Sequence, residues 1–417
     1  MVRSTGRADL PLHGGRVPPW LASRMASLGR IITEALVLEF GRREVLARLA
    51  HPFWFQSLGA VMGMDWHSSG ITTSVLGALK RGLEPVAHEL GLYVCGGRGK
   101  QSRRTPDELR VRSESHGLDG HALARTSRLV AKVDNTAVQD GFQIYLHSFI
   151  LSADGDWAVV QQGMNPDVGT ARRYHWLSTG LASFFDDPHA AIDGKSGDEI
   201  RNLADARAAE NRNGQLALVA DGPDPILAVL ERERDASRQL TMPGHHDVRP
   251  KDVSSRRLYS TLVAAAEAAP DDFDELLLVP GVGPRTMASL AMVSEVIYGE
   301  PSRFSDPARF SLAHGGKDGH PFPVPLAVYD TTIRVTRNAV ERAKLGRDDT
   351  LAAMRALDHQ ARAIEAAASD DEIALVDVAR IIEEERAISY RYRGMTVNGP
   401  ARKPAKRSPQ LSIPGIE

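Results

Sequence analysis

The chain has 417 residues, too many for one typical core, which sets an expectation of two or three domains. Its 51 Lys and Arg nearly balance 53 Asp and Glu for a net charge of −2, so any surface for a polyanion must be local. The single cysteine, Cys95, excludes an internal disulfide framework, a cysteine-built zinc site and an iron–sulfur cluster, and fits a reducing cytosol.

From the N-terminus, a loop "LPLHGGRVPPW" leads into a helical stretch from residue 21 to about residue 49. "SSGITTSVLGALKRG" offers hydroxyl caps before an apolar period and Gly82 after it, which predicts a helix over residues 72–81. Residues 126–163 alternate β-branched and aromatic residues, with turn chemistry at Asp154 and Gly155, and predict two or three antiparallel strands. Residues 1–190 thus form a mixed α/β domain and residues 191–250 a helical connector, closed by the polar, Pro- and Gly-marked "TMPGHHDVRP". Residues 251–393 are rich in Ala, Leu, Arg and Glu and read as all helical; the basic tail, 394–417, is expected to be disordered. The expected fold is an α+β N-terminal domain followed by an all-α helix-hairpin-helix domain. No run approaches the roughly 20 apolar residues that span a bilayer, and the first residues lack an apolar signal segment. A cytoplasmic location with no membrane partner is therefore expected.

"LLLVPGVGPRT" carries the clearest local chemistry. Gly281 and Gly283 give the backbone freedom, Val282 between them can pack inward, and Pro284 suits a first helical position. The amides after Gly281 would then point out of a helix N-terminus, where a phosphate oxygen is well received. This stretch resembles the helix-hairpin-helix motif, which holds nucleic-acid backbone without reading bases. The resemblance implies DNA contacts from Gly281, Val282, Gly283, Arg285 and Thr286. Met287 departs from the small residue usual there, which could loosen the packing of the two helices. The bland alternative is a helix–helix turn with no ligand.

Downstream, "VYDTTIRVTRNAV" resembles the segment after the hairpin in the helix-hairpin-helix DNA glycosylases. The resemblance implies that Asp330 stabilises a cationic sugar as a base departs. Asp330 reads equally as an ordinary helix cap. Where the bifunctional enzymes carry a Schiff-base lysine this chain has Arg285, which stays protonated and cannot be that nucleophile.

In the N-terminal block, "CGGRGKQSRR" joins glycines that expose backbone amides to Arg98, Lys100, Arg103 and Arg104, either an anion cradle or a solvated basic loop. It is not a Walker A loop, because the first glycine of that spacing falls at Val94. Arg172 and Arg173 are expected to join it in space. Asp134 and Asp140 are candidate catalytic carboxylates, and Asp65, His67 and His147 candidate ligands for a divalent metal in phosphodiester hydrolysis, although their spacings match no ligand motif. Gln161, Gln162, Tyr174, His175 and Trp176 suit base stacking, a pocket lining or a hydrogen-bonded core equally. On these strings, with "GMDWHSSGITT" and "TGRADLPLHGGRVPPWL", the chain is identified as a member of domain-of-unknown-function family 763, a resemblance that carries no activity.

The leading expectation is a DNA-binding protein of repair or processing, with monofunctional glycosylase-like or metal-dependent nuclease chemistry as competing additions. A non-catalytic adaptor and a nucleotide- or phosphate-binding enzyme with a purely structural hairpin are the alternatives. The sequence names no protein partner.

Overall fold

The computed structural model describes residues 10–11, 17, 19–62, 64, 69–167, 169–193, 200–237, 255–305, 395–396 and 399–400. β1 (Leu10–Pro11) precedes four helices, α1 (Pro19–Phe40), α2 (Arg42–Ala50), α3 (Pro52–Val61) and α4 (Ser69–Leu83). Then come α5 (Ala87–Leu90), β2 (Leu92–Arg98), α6 (Thr105–Glu114), α7 (Gly120–Lys132) and β3 (Val138–Gln139). β4 (Gln143–Ser152), β5 (Trp157–Asn165) and β6 (Thr170–Leu177) form a meander, followed by β7 (Ala191–Asp193) and β8 (Arg201–Asn202). Helices α8 (Ala209–Ala220), α9 (Pro223–Ser237), α10 (Ser255–Ala268), α11 (Phe273–Leu278) and α12 (Pro284–Tyr298) complete the main body. In the tail, β9 (Met395–Thr396) pairs with β10 (Gly399–Pro400).

The main sheet is antiparallel, in the order β1-β6-β5-β4-β2, and β7 also pairs with β6. The stretch read as two or three strands supplies β4 and β5, joined by the turn at Asp154 and Gly155. Successive side chains of a strand point to opposite faces, and here both faces are covered. Phe149, Leu151, Trp157, Val159 and Trp176 face one core, which they share with α7 and with α8 to α12. Leu146, Ile150, Ala158 and Val160 face a second core, built with α1 to α4. This is why polar residues of the middle strands end up buried.

Expected and observed elements differ in places. The helix read over residues 21–49 is broken at Gly41, whose φ of 83° and ψ of 168° lie outside the helical region. The helix read over 72–81 spans Ser69–Leu83. The described part of the helical segment, 255–305, has no core separate from the sheet: Leu276, Val282, Met287 and Leu290 belong to the core that holds Phe149 and Trp176. The boundary read at 241–250 lies outside the described residues, as do 306–394 and 401–417. Among the described residues no helix is long and apolar enough to cross a membrane.

Packing of α1 on α4 depends on one close approach. A Cβ added to Gly82 would stand 2.1 Å from the Ala26 carbonyl oxygen, an atom of backbone that cannot swing aside. Gly82→Ala is therefore expected to force the two helices apart and lower stability by roughly 1–3 kcal/mol, read as a fall in the urea midpoint; an unchanged midpoint would contradict this packing.

Candidate functional site

The hairpin is built by its own backbone first. Asp272 caps α11, its Oδ1 accepting from the Glu275 amide at 2.8 Å. The chain then turns through Gly281, at φ 93°, and the Val282 amide donates to the Val279 carbonyl at 3.1 Å. Val282 points inward and is buried, while Pro280, Gly281, Pro284 and Arg285 are exposed. Pro284 opens α12 with Gly283 as its N-cap, a position with no side-chain cap hydrogen bond. Met287 is fully buried in the shared core, so its bulk is accommodated by packing.

Two side chains from the sheet domain hold this turn. Lys132, at the end of α7, donates from Nζ to the Val282 carbonyl at 2.5 Å. Gln139, in β3, donates from Nε2 to the Pro284 carbonyl at 2.9 Å. The Lys132 amine is more than half enclosed, and that burial pulls its pKa below the usual lysine value. The hairpin is thus clasped on either side of Gly283 by the two ends of one short segment, residues 132–139.

Inside that segment the chain makes a π-helical turn, Val133–Ala137, the kind of irregularity that re-aims a side chain. It directs Asp134 into the sheet. There Asp134 Oδ2 accepts from Trp176 Nε1 at 2.9 Å and from Gln161 Nε2, and Oδ1 meets His189 Nε2 at 2.5 Å. The Gln161 carbonyl can only accept, so His147 donates to it from Nδ1 at 2.7 Å. His147 Nε2 then accepts from the Ser127 hydroxyl at 2.8 Å. Burial holds the His147 pKa below the ordinary histidine value, as a neutral ring with both nitrogens bonded requires. The result is a closed relay, Ser127 to His147 to Gln161 to Asp134.

Asp140 follows one residue after Gln139. Its Oδ1 accepts from the Phe142 amide at 3.0 Å; its Oδ2 accepts from the Tyr174 hydroxyl at 2.6 Å and from Arg172 Nη1 at 3.0 Å. Desolvation raises the Asp140 pKa, with Arg172 and the hydrogen bonds pulling against it. On the other face, Arg173 donates to Asp193 Oδ2 at 2.7 Å, to His175 Nε2 at 2.9 Å and to Thr72 Oγ1 at 3.4 Å. His175 must then be neutral and donate from Nδ1 to the Leu49 carbonyl at 3.2 Å. Its pKa is held well below the usual value, by burial first and by the Arg173 charge second.

Several expectations are corrected by this arrangement. Arg172 and Arg173 do not join a surface patch: both are buried, one under each face of the sheet, and each is paired with a buried aspartate. Adjacent residues of a strand covered on both sides have no other destination. Asp134 and Asp140, read as catalytic, have fully buried carboxylates whose oxygens accept hydrogen bonds from within the protein, so neither presents itself to a substrate. His147, read as a metal ligand, has both ring nitrogens engaged. Among the described residues no group of three or more His, Cys, Asp or Glu could hold a metal ion. Asp65, His67 and Asp330 lie outside the described residues.

The basic loop takes a different form from a cradle of free amides. β2 runs on to Arg98 and a 3-10 turn, Gly99–Arg104, follows. The Gly96 amide is taken by Glu108 Oε2 at 2.9 Å, and Lys80 spans the same carboxylate and the Gly96 carbonyl. A Cβ at Gly96 would come within 2.3 Å of the His147 carbonyl oxygen, so this glycine serves strand packing. The side chains remain outside. Arg98, Lys100, Arg103 and Arg104 are all exposed, and none pairs with a carboxylate among the described residues, unlike nearby Arg110 and Arg112. Arg98 lies opposite Leu146, at the end of β4 that the chain enters soon after Gln139. The register therefore brings the basic turn and the clasped hairpin to the same end of the sheet. Sequence reasoning named these arginines but not Gln139, Ser127, His189 or Asp193, whose partners are far off in the chain and carry no local motif.

A family model described as Protein of unknown function (DUF763) matches residues 6–324. No curated protein and no solved structure matches the chain.

The buried imidazoles set a pH dependence. His147 and His175 are neutral in the fold and ordinary in the unfolded chain, so unfolding takes up protons below the usual histidine value of 6.5. Stability is expected to be flat above that value and to fall as the pH drops through it, with a slope approaching about 1.4 kcal/mol per pH unit for each imidazole. Urea midpoints across this range measure it. His147→Gln isolates one imidazole from Asp140, whose raised pKa acts in the opposite sense; an unaltered slope in that variant would contradict the neutral relay.

Proposed function

The chain belongs to the DUF763 family of proteins of unknown function, and from its own geometry we propose that it binds the phosphate backbone of DNA, in repair or processing of that DNA. The contacts assigned are Gly281, Gly283 and Arg285 of the hairpin and the basic turn with Arg98, Lys100, Arg103 and Arg104; Val282 and Thr286, read from the sequence as contacts, are buried and support the turn from within. The observation that carries the reading is the set of four exposed cations, none paired with a carboxylate among the described residues, at the end of the sheet where the hairpin is clasped. In a chain of net charge −2, a cluster left unneutralised is a local anion surface. The glycine turn, with Gly281 exposed and Gly283 half-buried, opens the N-terminus of α12, the kind of helix end whose backbone amides receive a phosphate oxygen. Phosphate contacts of this kind position a duplex without reading sequence. The buried Asp134 and Asp140 are assigned to holding the surface in place, and cleavage by them is no part of this reading.

Retention of duplex DNA on filters across a salt series tests it. The logarithm of the binding constant is expected to fall linearly with the logarithm of salt concentration. Replacing Arg98, Lys100, Arg103 or Arg104 by Gln should each reduce that slope by about 1, uniformly across sequences. Binding that is absent at low salt or indifferent to salt would overturn the proposal.

A further inference from the structure

α7 lies between the basic turn and the hairpin, and its packing on both flanks fixes where each of its residues stands. Arg125 pairs with Asp274 of α11 at 3.5 Å, and Lys132, two turns on, donates to the Val282 carbonyl in the hairpin. α7 and α11 therefore run side by side in the same direction. On the other flank α6 packs against α7 through the short connection 115–119. A Cβ added to Gly120 would stand 2.9 Å from the Arg110 Cα and 2.4 Å from Ser113 Oγ, so α6 and α7 form an antiparallel pair. With Gly120 level with Arg110, a rise of about 1.5 Å per residue sets Arg128 level with the beginning of α6, where the basic turn ends. Ser127 fixes the same level independently: its hydroxyl bonds His147, which lies opposite Gly97 in β2.

Arg125, Arg128 and Lys132 follow at spacings of three and four residues, so they share one face of α7. Arg125 is committed to Asp274 and Lys132 to the hairpin carbonyl. Arg128 is exposed and pairs with no carboxylate among the described residues. Three residues on from Arg125, it is turned about 60° away from α11 and toward α6. The carboxylates of Asp271, Asp272 and Asp274 gather at the Arg125 end of this face. A polyanion is repelled there, so its favoured route crosses α7 at Arg128 rather than running along the helix.

We propose that the basic turn and the hairpin are one continuous site joined across α7 by Arg128, and that a single DNA duplex lies over both. This rests on the phosphate-backbone reading above and adds to it a further contact, a path and a stoichiometry. Helices packed side by side stand about 8–10 Å apart, so α6, α7 and α11 set the ends of the band roughly 20 Å apart. That is the length of roughly six base pairs at about 3.4 Å each, so one short duplex reaches both ends. Separate duplexes at the two ends would bring their phosphates together over Arg128 and repel each other.

The test uses the full chain and a duplex of about 12 base pairs, with stoichiometry and affinity read by titration across a salt series. One duplex per chain is expected. Arg128→Gln should reduce the salt slope of that single binding event by about 1, and Arg128→Lys, which keeps a point charge for a phosphate, should restore it. Arg43 is the control: it pairs with Asp156 beside the Asp154 and Gly155 turn, at the opposite end of the sheet, and Arg43→Gln removes the same charge. Its slope should equal that of the wild type. Two duplexes per chain, or an Arg128→Gln slope no lower than that of Arg43→Gln, would overturn the continuous site and leave the phosphate reading standing. Absence of salt-dependent binding by the wild type would overturn both.

Discussion

The hydrogen bonds from Lys132 and Gln139 to the carbonyls of Val282 and Pro284 join two parts of the chain about 150 residues apart. The segment between those two residues makes the π-helical turn that sends Asp134 into the sheet, and Asp140 follows directly. One stretch of about nine residues therefore holds the hairpin with its ends and anchors itself with its carboxylates. A turn fastened in this way holds Gly281 exposed and Gly283 half-buried in one arrangement, and for the phosphate contact proposed there preorganisation of that kind lowers the cost of binding.

The anchoring is electrostatically expensive and tightly specified. Arg172 with Asp140 and Arg173 with Asp193 are ion pairs with almost no exposed side-chain surface. Taking two charges out of water offsets much of their attraction, so such pairs add little net stability; removing one partner alone is expected to cost about 3–5 kcal/mol. Their value lies in direction. Asp140 accepts from Arg172, Tyr174 and the Phe142 amide together, which leaves the start of β4 a single place to sit. That same end of β4 lies beside Arg98 and the basic turn. Neutral His147 and His175 fit the same logic, each ring donating from one nitrogen and accepting at the other.

Much of the local structure was legible in the sequence. Alternation and the turn at Asp154 and Gly155 gave β4 and β5, hydroxyl caps gave α4, and "PGVGP" gave the hairpin and the helix that starts at Pro284. The polar network was not, because its logic depends on a sheet covered on both faces. Arg172 and Arg173 side by side look like a phosphate patch until the second layer of helices is known. Lys132 and Gln139 carry no motif, and their partners are carbonyl oxygens, which every residue has. The glycines of "CGGRGK" suggested free amides, whereas Gly96 is spent on close contact with β4 and its amide on Glu108.

Native-state hydrogen exchange on Lys132→Met tests the clasp most directly. The amide of Val282, bonded within the hairpin, and those of the π-helical turn, Val133–Ala137, should lose protection together and by a similar factor, because one fastening holds both. Loss of protection in the π-helical turn alone, with the hairpin amide unchanged, would show that the hairpin stands without the clasp and would contradict this account.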